Sequence, residues 1–462
     1  MALIKSISGI RGTIGGKPGE GLNPLDLVKF TTAYAMWLRE DVRKQKPTVV
    51  VGRDARISGK MVSRIVISTL NGMGINVINI GFATTPTTEM AVILEKADGG
   101  IILTASHNPK QWNALKLLNN KGEFLSGSQG EKILQLAEKE DFDFATIDKI
   151  GDTQNIEDYT QKHIDEILKL KLIDVDAIKK ANFKVAIDCV NSVGGISIPP
   201  LLNAIGVNDI VELYCEPNGL FPHNPEPLPE HLTDISTKVK ETKADVGFVV
   251  DPDVDRLAII DENGEMFGEE YTLVAVADYI LQNTPGNTVS NLSSTQALKN
   301  VTENYNQQYA SSAVGEVNVV DKMKETNAII GGEGNGGIIY PELHYGRDAL
   351  VGIALFLSYL AKSGKTCSEL RKTYPSYFIS KNKIELTPEI NVDKVLENIQ
   401  KAYASNKILT IDGVKIIFEN EWVHLRKSNT EPIIRIYAES NTKDSAEHLA
   451  QTIIKKIKEI IA

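Results

Sequence analysis

Residues 99–109 read Gly-Gly-Ile-Ile-Leu-Thr-Ala-Ser-His-Asn-Pro. The apolar run that opens this stretch and the Asn-Pro pair that closes it predict a buried strand followed by a tight loop. Ser106 therefore lies where a strand ends, at the edge where open α/β sheets bind ligands. Its hydroxyl, with His107 beside it and Lys116 ten residues later, is a candidate nucleophile. Taken alone, such a Ser-His pair is more often part of a turn or a helix cap.

The same arrangement of an apolar run and a polar loop recurs along the chain. Residues 246–256 read Val-Gly-Phe-Val-Val-Asp-Pro-Asp-Val-Asp-Arg, and residues 328–337 read Ala-Ile-Ile-Gly-Gly-Glu-Gly-Asn-Gly-Gly. Because amphipathic helical stretches such as residues 24–43 alternate with these runs, we predict successive α/β domains. From about residue 371, alternating apolar and polar residues predict antiparallel strands before a final amphipathic helix.

The length of the chain also indicates several domains, since 462 residues exceed what one hydrophobic core supports. The predicted fold class is α/β, with three related doubly wound α/β domains plus a smaller α+β C-terminal domain. The expected domains are residues 1–150, 151–256, 257–370 and 371–462.

The composition argues against several classes of protein. Fifty basic and sixty acidic residues give a net charge of −10, which is unfavourable for binding nucleic acid. Three scattered cysteines indicate neither a disulfide framework nor a zinc site. No apolar run is long enough to span a bilayer, and the N-terminus lacks the apolar core of a signal peptide. We therefore expect a cytoplasmic protein that binds neither nucleic acid nor membrane.

Three alternating carboxylates, Asp251, Asp253 and Asp255, follow the second apolar run. A tight turn would point all three inward, where they suit Mg²⁺, whose remaining ligands are usually water and phosphate oxygens. Aspartates are also frequent in ordinary turns. A calcium-binding EF-hand loop is another alternative, because Glu262 lies at the twelfth position counted from Asp251. The EF-hand is disfavoured, since Arg256 occupies the sixth position, where glycine is required.

Phosphate and sugar recognition have separate candidates. Residues 426–430 read Arg-Lys-Ser-Asn-Thr and are followed by Arg435, a density of donors that suits a phosphate dianion. Arg11, set among glycines, is a further candidate for a phosphate contact. Glu333, in a glycine-rich loop, would repel phosphate and is better suited to sugar hydroxyls. A solvated hairpin turn at 426–430 and a glycine-rich turn with an exposed acid at Glu333 are the alternatives.

Taken in order, the loops at residues 104–109, 251–256, 332–337 and 426–432 resemble those of the α-D-phosphohexomutase superfamily. The resemblance covers the whole chain, with one loop per domain, and implies a deep central cleft. It also implies an enzyme that interconverts hexose 6-phosphates and hexose 1-phosphates. The implied reaction uses a phosphoserine, Mg²⁺ and a hexose 1,6-bisphosphate that is both intermediate and primer.

The resemblance implies a role for each candidate residue. Ser106 is the phosphoserine, and His107 and Lys116 are the candidates for proton transfer, with Arg11 as a further catalytic residue. The implied metal ligands are Ser106, Asp251, Asp253 and Asp255. The implied substrate-binding residues are Arg256, Glu333, Asn335, Arg426, Ser428, Asn429, Thr430 and Arg435.

Departures from the family pattern bear on which sugar is used. Many members read Gly-Glu-X-Ser-Gly-His in the third loop, whereas this chain has Asn335 and Gly337 in place of the serine and histidine. The loop is more similar to those of archaeal-type phosphoglucosamine and phosphomannose mutases. Asn429 stands where bacterial phosphoglucosamine mutases usually have glycine, a pattern more typical of glucose and mannose enzymes. We expect glucosamine phosphate as the substrate, with mannose or glucose phosphate as the alternative.

Two other functions compete with a mutase. A phosphatase would transfer the phosphoryl group from Ser106 to water, which would leave residues 426–430 without a purpose. A non-catalytic sugar-phosphate binder would have no use for the combination of Ser106, Lys116 and three aspartates. We expect a monomer or homodimer whose partner is a phosphosugar.

Overall fold

The computed structural model describes residues 1–6, 9–42, 44, 46–386, 390–427 and 433–461 of the chain. The chain divides into two compact units. The first contains Met1–Tyr279 and Asn335–Leu370, and the second contains Ile280–Gly334 and Arg371–Ala462.

Strands and helices alternate along much of the described chain, and the stretch around Arg11, read from the sequence as a glycine-rich turn, is a strand. The strands are β1 (Leu3–Ser6), β2 (Gly9–Thr13), β3 (Thr48–Arg53), β4 (Asn76–Phe82), β5 (Gly99–Leu103), β6 (Trp112–Leu118), β7 (Thr153–Asn155), β8 (Lys184–Asp188), β9 (Asp209–Leu213), β10 (Val246–Val250), β11 (Leu257–Asp261), β12 (Asn287–Asn291), β13 (Tyr309–Ser312), β14 (Ala328–Glu333), β15 (Gly337–Ile339), β16 (Phe378–Glu385), β17 (Lys407–Leu409), β18 (Val414–Ile417), β19 (Trp422–Lys427) and β20 (Ile433–Ser440). The helices are α1 (Pro24–Val42), α2 (Gly59–Gly72), α3 (Thr85–Leu94), α4 (Gly127–Lys139), α5 (Tyr159–Leu168), α6 (Val175–Ala181), α7 (Gly194–Ala204), α8 (Thr233–Thr242), α9 (Glu269–Asn283), α10 (Ala297–Asn304), α11 (Glu316–Thr326), α12 (Ala349–Ser363), α13 (Cys367–Arg371), α14 (Val392–Ala402) and α15 (Lys443–Ile461).

The first sheet, in the first unit, has the strand order β1-β2-β6-β5-β3-β4-β7. Its central strands β5, β3 and β4 are parallel. Alternate residues of β5 point to opposite faces, so that Ile101 and Leu103 join one apolar core and Ile102 joins another. Neighbouring strands and the helices that cover both faces of the sheet supply the rest of both cores, which explains why every residue of β5 is buried. Its carboxyl end leads directly to Ser106.

The second sheet, also in the first unit, has the order β11-β10-β8-β9. Strand β10 is parallel to β8 and antiparallel to β11. All five residues of β10 are apolar or glycine and are buried. Its carboxyl end delivers Asp251, so the second candidate loop also begins where a buried strand ends.

The second unit contains a parallel arrangement of β12 with β13 and β14, and a C-terminal antiparallel sheet of order β16-β20-β19-β18-β17. Helices α14 and α15 pack their apolar faces against the C-terminal sheet, burying Ile399, Ile453 and Ile457. The spacing of apolar residues that predicted a final helix thus corresponds to α15.

These sheets confirm the predicted fold class, since three α/β segments precede an α+β segment. The domain boundaries given above stay predictions. Among the described residues, no helix combines the length and apolar character that crossing a bilayer requires.

Candidate active site

The loop after β5 holds Ser106 in a strained conformation. Ser106 has a φ of 49°, in the left-handed region that residues with a side chain rarely adopt. Its backbone amide donates a hydrogen bond to Thr104 Oγ1 at 2.9 Å. Such strain persists only where the surrounding structure enforces it, and it is concentrated at functional sites.

The buried guanidinium of Arg56 enforces this conformation. Its Nε donates to Asp54 Oδ2 at 3.0 Å. Its Nη1 and Nη2 groups donate to four loop carbonyl oxygens at 2.5 to 3.0 Å, those of Ser106, Asn108, Pro109 and Trp112. All five N–H donors of a guanidinium are thereby used. Arg56 is therefore a support for Ser106 rather than a ligand-binding residue.

The loop after β10 brings Asp251 against Ser106. Ser106 Oγ donates to Asp251 Oδ2 at 2.7 Å. Asp251 Oδ1 accepts the backbone amides of Asp255 and Arg256, both at 3.2 Å, which closes the loop on itself. Val254 has a φ of 62°, a clear outlier for a β-branched residue. This loop, residues 251–256, is called the metal loop below.

Three side chains from distant parts of the first unit hold the other two aspartates. Lys116 Nζ lies 2.7 Å from Asp253 Oδ2 and 3.4 Å from Asp255 Oδ2. Thr85 Oγ1, at the start of α3, donates to Asp253 Oδ2 at 2.6 Å, and Arg347 Nη2 donates to Asp255 Oδ2 at 2.7 Å. Burial alone would raise the pKa of Asp253, but the pairing with Lys116 outweighs it and lowers that pKa. Burial alone would lower the pKa of Lys116, but Asp253 and Asp255 outweigh it and raise that pKa. Lys116 is therefore protonated in this arrangement.

The three aspartates fit a divalent cation. All three are fully buried, and one oxygen of each lies within 4.8 Å of the others. Asp253 Oδ1 and Asp255 Oδ1 have no hydrogen-bond partner among the residues that the structure describes. Burial, together with the charges of Asp255 and Asp253, raises the pKa of Asp251. A hard cation would relieve this repulsion and satisfy the bare oxygens, because carboxylates are its preferred ligands.

His107 is the candidate proton acceptor. Its Nδ1 lies 3.4 Å from Ser106 Oγ. Burial and the charge of Arg256 lower the pKa of His107 to about 2, so the ring is neutral. The sequence proposed both His107 and Lys116 for proton transfer. In this arrangement the ring of His107 is neutral and Lys116 is protonated, and the part that each plays in proton transfer stays a prediction.

Arg11 and Arg256 are the other predicted cations of the first unit. Arg11, on β2, lies opposite Ala114 of β6, on the sheet face that also carries Lys116. Burial and the charge of Arg256 lower the pKa of Arg11. Arg256 Nη1 lies 3.3 Å from Glu226 Oε1, and its Nε has no hydrogen-bond partner within the described part of the chain. This concentration of positive charge suits an anionic substrate.

The residues predicted to contact the sugar, Glu333 and Asn335, lie on either side of the division between the two units. Glu333 is the last residue of β14 and is buried, so its placement in a glycine-rich loop was wrong. Its Oε1 accepts from Asn291 Nδ2 at 2.9 Å and from the amide of Gly315 at 3.1 Å. Asn335 Oδ1 accepts the amide of Gly337 at 3.2 Å.

Two predicted phosphate-binding residues are neighbours in the second unit. Arg426 on β19 pairs in register with Arg435 on β20, which in turn pairs with Lys383 on β16. Residues opposite one another on antiparallel strands share a face, and like charges there are destabilising. Asp412, 3.4 Å from Arg426 Nε, and Glu385, 3.1 Å from Lys383 Nζ, offset two of the three charges. Arg435, which lies between the two other cations, therefore favours an anionic ligand. The other predicted residues of this site, Ser428, Asn429 and Thr430, lie outside the described residues.

Thr85, Arg347 and Lys383 were missed by the reasoning from sequence. Thr85 and Arg347 lie 168 and 92 residues from the aspartates that they contact. The local patterns give no sign of either contact. Strand alternation on β16 is the one signal that would have drawn attention to Lys383.

Comparison with known proteins shows which family the chain resembles. Four family models match in order, those of phosphoglucomutase/phosphomannomutase alpha/beta/alpha domains I, II and III and of the C-terminal domain. They cover residues 3–144, 161–264, 268–377 and 384–456.

Individual proteins match over their full length. A phosphoglucomutase/phosphomannomutase of Thermococcus kodakarensis is 37% identical, over 97% of this chain and 98% of its own. A phosphoglucosamine/phosphogalactosamine mutase of Sulfurisphaera tokodaii is 32% identical, over 100% of this chain and 99% of its own. The solved structure of a phosphoglucomutase/phosphomannomutase family protein from Burkholderia thailandensis shares the fold, with a TM-score of 0.83 at 24% identity over 97% of this chain and 95% of its own. The chain therefore belongs to the phosphoglucomutase/phosphomannomutase family of the α-D-phosphohexomutase superfamily and is an enzyme of the mutase class.

Proposed function

We propose that this enzyme interconverts hexose 6-phosphate and hexose 1-phosphate through a phosphorylated Ser106 and a hexose 1,6-bisphosphate, with glucosamine phosphate as its main substrate. The observation that carries the proposal is the 2.7 Å hydrogen bond from Ser106 Oγ to Asp251, within a buried group of three aspartates. An ordinary turn does not require its serine hydroxyl to contact a group of buried carboxylates. It is well placed to carry a phosphoryl group beside a divalent cation.

In the first transfer, a sugar hydroxyl attacks the phosphorus on Ser106. The new sugar O–P bond forms as the Ser106 Oγ–P bond breaks, and the sugar proton passes to a base beside Ser106, for which the unprotonated ring of His107 is the candidate. Lys116 contributes positive charge as the serine oxygen leaves. When Mg²⁺ is bound to Asp251, Asp253 and Asp255, it stabilises the negative charge of the transferring group.

In the second transfer, the bisphosphate has reversed its orientation and Ser106 accepts the other phosphate. Reversal requires a second site that binds either phosphate of the sugar. We assign this role to Arg426, Ser428, Asn429, Thr430 and Arg435, supported by the row of three cations in which Arg435 lies between Arg426 and Lys383. Glu333 and Asn335 are assigned to the sugar hydroxyls, and Arg256 and Arg11 to the phosphate near Ser106.

The choice of sugar rests on the third loop and on the relatives. The Sulfurisphaera relative is named for amino sugars, which supports glucosamine phosphate. The more similar Thermococcus relative is named for glucose and mannose, which supports the alternative of a phosphomannomutase/phosphoglucomutase. The test is kcat/KM for glucosamine 1-phosphate, mannose 1-phosphate and glucose 1-phosphate, measured side by side with a bisphosphate primer. We expect at least a tenfold preference for the amino sugar, and equal or higher values for the neutral sugars would reject this choice.

A further inference from the structure

Four ionisable side chains form a buried cluster in the first unit: Glu89, His163, His344 and Asp348. Asp348 Oδ2 lies 3.0 Å from His163 Nε2 and 3.3 Å from His344 Nε2. His344 Nδ1 lies 3.3 Å from Glu89 Oε2. All four residues are at most 5% exposed. Ionisable groups this deeply buried are destabilising unless they are well paired, so their presence needs a reason.

Three of the four ring nitrogens of the cluster are hydrogen-bonded, and His344 Nδ1 is held by its ion pair with Glu89 rather than by a well-formed hydrogen bond. The second ring nitrogen of His163, Nδ1, faces Thr87 Oγ1 at 3.0 Å. Both nitrogens of both rings therefore already face a hydroxyl or a carboxylate. Burial lowers the pKa of His344, but Asp348 and Glu89 outweigh it and raise that pKa to about 10, which makes His344 the cation of the cluster. These contacts favour a paired network over a second metal site, although two histidines and a carboxylate are common metal ligands.

The cluster joins two segments of the chain that both hold the metal loop. The first segment is the start of α3, where the amide of Thr85 donates to the carbonyl oxygen of Asp253 at 2.9 Å and its hydroxyl donates to the carboxylate of the same residue at 2.6 Å. Glu89 lies one helical turn further along α3. Thr87, which contacts His163, lies between them.

The second segment is residues 344–349, which lead into α12. Arg347 donates to Asp255 at 2.7 Å, and the amide of Ala349 donates to the carbonyl oxygen of Val254 at 3.2 Å. Between these two residues stands Asp348, whose Oδ1 accepts two amides of the first turn of α12. Asp348 thus fixes the direction of the segment at the point where it contacts the metal loop.

We propose that the cluster of Glu89, His163, His344 and Asp348 is a positioning element for the metal site. It ties α3 to residues 344–349, and through Thr85, Arg347 and Ala349 it sets where the aspartates of the metal loop stand. These residues touch no substrate, and they act only through the groups that hold the loop. The inference rests on the proposed function only in taking the three aspartates to bind a divalent cation.

The test is the affinity of the protein for Mn²⁺, measured by electron paramagnetic resonance on protein freed of phosphate and without sugar. The variants are His344→Asn and Glu89→Gln, the latter preserving shape while removing a charge. His448→Asn, on the exposed face of α15, is the matched control. We expect the Kd for Mn²⁺ to rise about tenfold in both cluster variants, as for other residues that orient metal ligands, and to stay at the wild-type value in the control.

A double substitution separates positioning from a general loss of stability. If the cluster acts through Thr85, adding Thr85→Val to Glu89→Gln raises Kd by less than the product of the two single effects. If His344→Asn does not fold, His163→Asn takes its place in the same titration.

Three results would overturn the proposal. The first is a wild-type Kd in both cluster variants, whatever happens to their unfolding temperature. The second is one equivalent of zinc that remains in the wild-type protein after chelation and is lost in His163→Asn, since the cluster would then be a metal site. The third is a wild-type protein with no affinity for Mn²⁺. Absence of sugar phosphate turnover would count against the proposed function alone, because the titration involves no sugar.

Discussion

Replacing Arg56 with lysine is the most informative change to the support of Ser106. The guanidinium serves five acceptors, four of them carbonyl oxygens of the loop, and an ammonium group has three donors. At least two buried acceptors therefore lose their partner. An unsatisfied buried group costs about 1–3 kcal/mol, so we expect Arg56→Lys to lower the free energy of unfolding by about 2–6 kcal/mol.

The same change should affect catalysis, because the left-handed φ of 49° at Ser106 depends on these hydrogen bonds. A displacement of about 1 Å at a reacting group costs about 100-fold in rate. We expect kcat of the folded fraction to fall by about that factor. Urea unfolding gives the free energy of unfolding. Mutase turnover, measured without urea at a temperature well below the thermal unfolding transition, gives kcat.

Arg53→Lys is the matched control, three residues away. Arg53 is partly exposed, donates to the carbonyl oxygen of Asp54 at 3.1 Å and lies over the ring of Phe82 at 4.1 Å. We expect Arg53→Lys to lower the free energy of unfolding by at most about 1 kcal/mol, the contribution of one ordinary hydrogen bond, and to leave kcat unchanged. The reasoning is refuted if Arg56→Lys is as stable and as active as Arg53→Lys.

Three further predictions concern the cation, the second phosphate site and pH. Chelation by EDTA should abolish turnover and added Mg²⁺ should restore it, whereas turnover that persists in EDTA would contradict a metal role for the aspartates. Arg435→Gln should raise KM for the sugar phosphate at least tenfold with a smaller change in kcat, and an unchanged KM would show that the row of cations binds no phosphate. His344 faces Glu89, Asp348 and the ring of His163, and its pKa is raised to about 10. Its contribution to stability is therefore complete below its ordinary pKa of about 6.5 and is lost as pH rises through about 10. The difference in unfolding temperature between wild type and His344→Asn should therefore shrink from pH 6.5 to pH 10, and a constant difference would contradict the pairing.

Local patterns were sufficient for the strands that carry the chemistry. Residues 99–103 and 246–250 are β5 and β10, and both end at a candidate loop. A short continuous run of apolar residues is typical of a strand that is buried on both faces of a parallel sheet, so the run alone predicts the strand. Ser106 and the three aspartates could thus be placed at strand ends without knowing their neighbours.

Long-range contacts and close packing were not available from the sequence. Thr85 and Arg347 matter because they contact aspartates that are distant in the sequence. In the sequence alone, Thr85 and the proline after it look like ordinary turn residues. The glycines before Glu333 indicated a loop, but they continue β14. A Cβ at Gly331 would lie 2.4 Å from Met323 Sδ, so this glycine permits close packing of α11 against the strand. Its role is packing, which pattern alone does not distinguish from flexibility.

The most direct test of the account is transfer of labelled phosphate through Ser106. Dephosphorylated protein would be mixed with hexose 1,6-bisphosphate carrying ³²P, and the labelled protein would then be chased with unlabelled glucosamine 6-phosphate on a rapid-quench instrument. We predict one equivalent of label, located at Ser106 by peptide mapping and absent from Ser106→Ala, that moves into the sugar at a rate no slower than kcat. Label at another residue, or label that leaves only as inorganic phosphate, would contradict a phosphoserine mutase.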